Sequence, residues 1–224
     1  CKARFVSIGI HEIMDKYWGE SEKMIHALFE EARRLAPTVL FFDEFDALGG
    51  ARGASEPQSW KSMVNQLLQE MDGVGGRNDQ VLVFAATNLP WNVDSAFRRP
   101  GRFDRSFFVP PPDSAGRSKI IENTVSKLPG GAEINAAKLA KQTSLFTGAD
   151  VKGLCERAAE HALERSLDSG TVEAVTMADF AKEIPSMSSS ALEWLETAKN
   201  YARYANQGGQ YDELSNFLKK LKRW

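Results

Sequence analysis

The sequence predicts an α/β fold, in which a parallel sheet with helices is followed by a part made of helices alone. Two apolar runs without alternation, residues 38–42 (TVLFF) and 81–86 (VLVFAA), are typical of strands covered on both faces. Stretches with helical spacing separate these runs, and strands that alternate with helices form parallel sheets. After residue 113 no comparable run occurs, so we expect the sheet to end there.

The elements of the predicted sheet follow one another in order. Residues 4–10 form a short β-branched and aromatic run, and residues 21–36 have helical spacing with acids at the start and Pro37 after the end. The predicted apolar face of this helix consists of Met24, Leu28, Ala32 and Leu35. A Gly-, Ser- and Pro-rich loop precedes a helix at residues 61–71, and SFFV at 106–109 predicts a further strand.

The second part of the chain predicts helices only. Their expected ranges are 114–127, 135–142, 148–168, 177–184, 189–206 and 211–222. We therefore predict an α/β segment at 1–113, a helical segment at 114–187 and a C-terminal helical extension at 188–224. Aromatic residues of the extension, from Trp194 to Trp224, are predicted to pack on the helical segment or on a neighbouring subunit.

Composition and charge exclude several classes of protein. The 224 residues are 42% hydrophobic and 26% charged, which is typical of a globular protein. With 28 basic and 30 acidic residues the net charge is −2, so binding to nucleic acid is not expected. Two distant cysteines predict neither a metal site nor a disulfide framework. No run is long enough to span a membrane, and with no leader pattern we expect a cytoplasmic protein.

Two adjacent carboxylates end the first buried strand. Asp43 and Glu44 follow Phe42, and Asp46 comes soon after. Ligands of open α/β sheets bind at the carboxyl ends of the strands. There, one carboxylate can hold Mg²⁺ while its neighbour deprotonates an attacking water. The alternative is a pair of solvated acids.

Asn88 follows the next buried strand in the same way, within AATNLP. An amide at this edge can position a water or contact a phosphate oxygen without adding charge. Alternatively, Asn88 only forms the turn before Pro90.

Four arginines lie within eight residues around a Pro-Gly turn, at 98–105 (RRPGRFDR). Guanidinium groups suit the charge that develops on a transferred phosphoryl group, and a turn can present them to a neighbouring molecule. A salt-bridged surface turn and a nucleic-acid patch are the alternatives, and nearby Asp104 and Asp113 weaken the second.

A loop with adjacent aromatic residues precedes the first long helix. Lys16, Tyr17 and Trp18 lie in DKYWGE, and two exposed rings would be costly unless they contacted a partner. Such a loop can grip a polypeptide. The alternative is that one ring folds onto the core.

Taken together in this order, these motifs resemble the AAA family of ring-forming ATPases over nearly the whole chain. VLFFDEFDAL is similar to the Walker B segment, AATNLP to sensor 1, AFRRPGRFDR to the second region of homology and MDGV to the intersubunit signalling segment. KYWGESE is similar to pore loop 1, and FTGADVKGLCERAA to the start of the lid helix. The resemblance implies a P-loop NTPase core followed by a helical lid.

The resemblance also implies roles for individual residues. Asp43 would bind magnesium, Glu44 would be the catalytic base, and Asn88 would orient water or sense the γ-phosphate. Arg99 and Arg102 would act in trans on the neighbour's nucleotide. Gly148 and Ala149 would contact the nucleotide from the lid. Lys16, Tyr17 and Trp18 would grip the substrate polypeptide.

One family motif is missing from these residues. No GxxxxGK[ST] phosphate loop occurs, and we expect it just upstream of Arg4, so that this chain alone would bind ATP weakly or not at all. The predicted function is an ATP- and Mg²⁺-dependent ATPase that forms a ring, most simply a homohexamer, and remodels or threads polypeptides. The alternatives are a catalytically silent AAA-like scaffold and a DNA-dependent motor.

Overall fold

The structure is a computed structural model, and it describes residues 2–14, 20–49, 58–73, 78–206 and 208–222. The chain divides into two compact units, Cys1–Ser106 and Phe107–Trp224. Each unit has its own hydrophobic core.

The first unit contains a three-stranded parallel sheet. Its strands are β1 (Arg4–Gly9), β2 (Thr38–Asp43) and β3 (Val81–Ala85), paired in the order β1-β2-β3. In the register, Gly9 lies beside Asp43, and Phe42 lies beside Ala85. The carboxyl ends of the three strands therefore meet at one edge. The α/β fold class is confirmed.

The described residues of this unit form three α-helices: α1 (Ile10–Met14), α2 (Glu20–Arg34) and α3 (Gln58–Met71). They bury the sheet face that carries Leu40 and Phe42, both 0% exposed. α2 contributes Ile25, Phe29 and Ala32 to this core, and α3 contributes Met63, Leu67 and Met71.

The opposite face of the sheet carries exposed apolar side chains. Phe5 is 66%, Leu82 52% and Phe84 46% exposed. The prediction that the 81–86 strand is covered on both faces is therefore wrong for the described residues. Alternation explains the difference, because Val81, Val83 and Ala85 face the core while the two residues between them do not.

The predicted strand at 106–109 is also wrong, because these residues join no sheet in the described structure. Phe108 instead stacks on Trp194 at 5.9 Å between ring centroids and lies 5.3 Å from Phe217. Its amide nitrogen donates a 2.8 Å hydrogen bond to the carboxylate of Glu213. Helical partners thus satisfy both the apolar ring and the backbone donor that a strand neighbour would otherwise have satisfied.

In the described part of the second unit, the regular secondary structure is helical. Its helices are α4 (Ser114–Val125), α5 (Ala136–Gln142), α6 (Gly148–Ser169), α7 (Met177–Glu183), α8 (Ala191–Tyr204) and α9 (Asp212–Lys220). Cys155 of α6 is 0% exposed in this core, and burial raises the pKa of its thiol to about 11. Within the described part of the chain, no helix is both long and apolar enough to cross a membrane.

Candidate functional site

Asp43 and Glu44 lie where the central strand ends. The amide nitrogen of Glu44 donates a 2.9 Å hydrogen bond to Oδ1 of Asp43, and both residues are exposed. Glu44 has a φ of +52°, in the left-handed region that non-glycine residues rarely occupy. Conformations of this kind cost on the order of 1–3 kcal/mol and are concentrated at functional sites. Phe45, 1% exposed, anchors the chain immediately afterwards.

Hydrogen bonds from the residues after β3 bring Asn88 to the same edge. Oδ1 of Asp46 accepts from the Thr87 hydroxyl at 2.6 Å and from the Asn88 amide nitrogen at 3.3 Å. The amide nitrogen of Phe45 donates to the carbonyl of Ala86 at 2.9 Å. Asp46 therefore links the residues that follow β2 to those that follow β3. The structure places Asp43, Glu44 and Asn88 at one edge of the sheet.

A histidine that sequence reasoning missed also reaches this edge. Nδ1 of His11 lies 3.5 Å from Oε2 of Glu44, and both side chains are mostly exposed. A Cβ added at Gly9 would lie 2.5 Å from Cε1 of His11, so the glycine provides the space for the imidazole. Ile10 and Ile13, 1% and 2% exposed, fix α1 in the core. No sequence motif marks His11.

The edge of the sheet fits a magnesium ion that is bound by one protein carboxylate together with water and substrate phosphates. Among the described residues, no group of three or more His, Cys, Asp and Glu side chains could hold a metal. Magnesium, however, usually keeps several waters and takes one or two carboxylates together with substrate phosphates. The exposed carboxylate of Asp43 suits this mode.

The arginine-rich segment forms a turn on the same unit. A one-turn helix, Ser95–Arg98, is capped by Asp94, whose side chain accepts a hydrogen bond from the amide nitrogen of Ala96. Phe97, 0% exposed, and Phe103 pack edge-on against Phe45, with ring centroids 4.9 and 5.0 Å away. The turn between these two rings carries Arg99 on the exposed surface.

Arg102 has a different environment from Arg99. Its side chain is 12% exposed, and its guanidinium binds Asp72 through two nitrogens, Nε at 2.7 Å and Nη2 at 2.6 Å. The hydrogen bond and charge of Arg102 outweigh desolvation and hold the pKa of Asp72 below its ordinary value. Sequence analysis did not predict this pair, because the two residues are 30 positions apart.

The remaining predicted site residues lie elsewhere. Gly148 and Ala149 begin α6 in the helical unit. Thr147 caps this helix: its hydroxyl accepts from the Asp150 amide, and its own amide donates to the Asp150 carboxylate. Lys16, Tyr17 and Trp18 lie outside the described residues.

Comparison with known proteins agrees with this arrangement. The family "ATPase family associated with various cellular activities (AAA)" matches residues 1–111, and the family "AAA+ lid domain" matches residues 133–182. The first match contains the sheet edge and the arginine turn, and the second contains the start of α6.

Several known proteins are similar to most of this chain. The Cell division cycle protein 48 homolog of Archaeoglobus fulgidus is 40% identical over 198 residues, which are 88% of this chain and 27% of that protein. The Meiotic spindle formation protein mei-1 of Caenorhabditis elegans is 38% identical over 203 residues, 84% of this chain and 43% of that protein.

A third relative is the Putative ribosome biogenesis ATPase nvl of Dictyostelium discoideum, which is 40% identical over 80% of this chain. The chain spans less than half of the length of each of these three relatives. The two matched segments, the parallel sheet and the helical unit that follows it together show that the chain belongs to the AAA ATPase family.

Proposed function

We propose that this chain is the core of a magnesium-dependent ATP hydrolase. The observation that carries the proposal is the position of Glu44, an exposed carboxylate in a left-handed conformation between the buried Phe42 and Phe45. It lies at the carboxyl end of a parallel strand, where such sheets bind ligands. Because the buried rings of Phe42 and Phe45 flank this short segment, the backbone of Glu44 is held in a fixed position. A general base needs such a fixed position relative to the water that it deprotonates.

In this proposal each residue of the sheet edge has one task. Asp43 binds the magnesium ion, which neutralises charge on the phosphates when it is bound. Glu44 accepts the proton of the attacking water. Asn88 orients that water or contacts the γ-phosphate, and Asp46 and Thr87 hold the backbone of Asn88 in place.

We assign the activity to the complete protein, since the chain spans 27% of its archaeal relative. The phosphate loop is proposed to lie outside these 224 residues, which contain no GxxxxGK[ST]. Gly148 and Ala149 are proposed to contact the nucleotide from the lid. Their position at the start of α6, within the segment that matches the lid family, supports this role.

We further propose that the complete protein forms a homohexameric ring in the cytoplasm and remodels polypeptides. Arg99 supports the ring, because an exposed guanidinium on a protein surface is available to a neighbouring subunit's phosphates. The loop with Lys16, Tyr17 and Trp18 is proposed to grip the substrate chain.

The test is Glu44→Gln in the full-length protein. This amide cannot accept the proton, so we expect ATP binding in calorimetry to be retained and turnover to fall by a factor of about 100 or more. Glu122→Gln is the control, because Glu122 is exposed on α4 and, among the described residues, its side chain pairs with Ser118 and Lys119 of its own helix.

Two results would contradict the proposal. Turnover that survives Glu44→Gln would show that Glu44 is not the base. A full-length protein that binds no ATP, yet whose Arg99 stimulates hydrolysis by a partner ATPase, would identify a catalytically silent scaffold.

A further inference from the structure

The outer side of α6 carries an acidic row of side chains beside an apolar one. Residues four positions apart lie in one row along a helix. The acidic row is exposed throughout and consists of Glu156, Glu160, Glu164 and Asp168. The neighbouring row holds two exposed leucines, Leu163 at 58% and Leu167 at 75%. We call the acidic row together with these two leucines the α6 face.

The acidic row opposes the stability of the helix that carries it. Like charges four residues apart repel each other on a helix, and the row contains such pairs one after another. The nearest arginines of α6, Arg157 and Arg165, form ion pairs with Glu183 and Asp179 of α7. Positions that break a local rule of stability are expected at functional sites. The α6 face therefore has the character of a binding surface.

A surface of the complementary kind lies at the end of α9. Lys219, Lys220 and Lys222 fall within four positions, with Leu221 among them, and in the sequence Arg223 follows. Lys220 and Lys222 are exposed, and Leu221 is half-buried. The end of α9 thus offers several cations and one apolar side chain, whereas the α6 face offers several anions and two apolar side chains.

Within one copy the end of α9 does not occupy the α6 face. A groove of about 640 Å³ runs beside the acidic row, and the described residues that line it belong to α6 and α7. α9 packs instead on α8, and its Phe217 lies against Phe108. The groove and the two exposed leucines are therefore open to a segment from another molecule.

From this complementarity we infer that the α6 face of each copy receives the basic end of α9 of the next copy. The lysines of one copy meet the acidic row of the other and relieve its repulsion, and Leu221 packs against the exposed leucines. Because the two surfaces differ, the contact is head-to-tail, and such contacts close into rings when the rotation allows it. The inference rests on the proposed function, since it names a contact that builds the proposed ring.

The test reverses the charges of each surface in the full-length protein. The face variant carries Glu160→Lys and Glu164→Lys, and the tail variant carries Lys220→Glu and Lys222→Glu. Each variant alone places like charges at every contact. We therefore expect the protein concentration at half-assembly, measured by sedimentation velocity with and without Mg²⁺ and ATP, to rise at least about tenfold.

A mixture of the two variants gives the decisive result. In a ring where they alternate, the basic face of one variant meets the acidic tail of the other, and the acidic face meets the basic tail. Opposite charges then lie at every contact, so the equimolar mixture should assemble at nearly the wild-type concentration. This rescue is specific to a head-to-tail contact between copies.

Matched controls separate the contact from general effects of charge and folding. Glu122→Lys with Glu133→Lys reverses two exposed acids outside α6 and should leave assembly unchanged. The face variant loses a 3.5 Å contact between Glu164 and His161, but it turns two of the repulsive pairs of the row into attractive ones. Its unfolding midpoint should therefore not fall below that of the wild type.

Three results would overturn the inference. The first is a wild-type full-length protein that stays monomeric, and the second is wild-type assembly of both variants. The third is a mixture that stays dissociated; if one chain with all four changes then assembled, the end of α9 would bind the α6 face of its own copy.

Failure of the proposed function gives a different pattern, because assembly is measured apart from turnover. Rescue in the mixture of a protein that hydrolyses no ATP would support the contact and contradict the ATPase proposal. Normal turnover together with wild-type assembly of both variants would have the reverse meaning.

Discussion

Nδ1 of His26 lies 2.6 Å from Oε1 of Glu70, a carboxylate that is 3% exposed. The same carboxylate accepts from Nη2 of Arg33 at 2.6 Å and from Nε2 of Gln66 at 2.9 Å. The hydrogen bonds to His26 and Arg33 connect α2 to α3, the helix that ends beside Asp72. A buried carboxylate with three donors is stable only while its partners remain charged or hydrogen-bonded.

This contact predicts a dependence of stability on pH. The hydrogen bond to Glu70, followed by the charge of Glu70, raises the pKa of His26 above its ordinary 6.5. A group whose pKa is raised by folding contributes full stability below its unfolded pKa and loses it as the pH rises through the folded pKa. We therefore expect the free energy of unfolding to fall from about pH 6.5 upwards through the raised pKa of His26.

Urea unfolding at a series of pH values measures this slope. His26→Gln should remove the contribution that His26 of the α/β unit makes to this pH dependence. His161→Gln is the matched variant for the helical unit, because the pKa of His161 is raised in the same way, by Glu183. A wild-type slope in His26→Gln would contradict the prediction.

Acid also weakens the same cluster, through Glu70 rather than His26. Burial alone would raise the pKa of Glu70, but the bonds from His26 and Arg33 outweigh it, and its pKa lies below its ordinary 4.5. Stability from Glu70 is therefore present above pH 4.5 and is lost as the pH falls through the lowered pKa. The cluster should contribute most between these two limits.

Two glycines of the helical unit predict opposite effects of the same substitution. Nothing lies within 4 Å of a Cβ built on Gly153 in the second turn of α6, so Gly153→Ala should stabilise the unit by about 1 kcal/mol. A Cβ on Gly131 would lie 1.8 Å from the carbonyl oxygen of Val125, so Gly131→Ala should cost about 3 kcal/mol. Thermal unfolding checks both, and a midpoint that moved in the same direction for both variants would contradict this account.

His11 predicts a change in turnover. Its imidazole can donate to Oε2 of Glu44 and leave Oε1 to accept a proton, and such contacts in free enzymes often shorten only when substrate binds. His11→Ala in the full-length protein should lower kcat about tenfold, with little change in KM for ATP. His11→Asn, which keeps an N–H donor, should recover part of the loss. His161→Ala serves as the control, and an unchanged kcat in His11→Ala would show that Glu44 needs no orienting partner.

The positions of the helices could be predicted from sequence because their ends carry local signals. α4 starts directly after Asp113, which accepts from the Gly116 amide, and α6 starts after the capping residue Thr147. The apolar face of α2 was predicted less well, since Ile25 and Phe29 are buried and not Met24 and Leu28. Both stripes have the same spacing, so spacing alone could not choose between them.

The sheet edge could be predicted because parallel strands bring their carboxyl ends together. That rule places Asp43, Glu44 and Asn88 side by side, and the structure agrees. Contacts between distant segments follow no such rule. Asp72 with Arg102, and His11 with Glu44, pair only after the chain has folded, and neither pair has a local signature. The catalytic and binding roles themselves remain predictions.

The burial of Cys155 makes the opening of the helical unit measurable as a chemical rate. Only the thiolate reacts with alkylating reagents, and this thiol is both enclosed and protonated at neutral pH. The sequence contains two cysteines, so Cys1→Ser leaves Cys155 as the single thiol of these 224 residues. The rate at which Cys155 is alkylated would then measure how often the helical unit opens and exposes its core to solvent. Adding nucleotide to the full-length protein would show whether binding slows this opening.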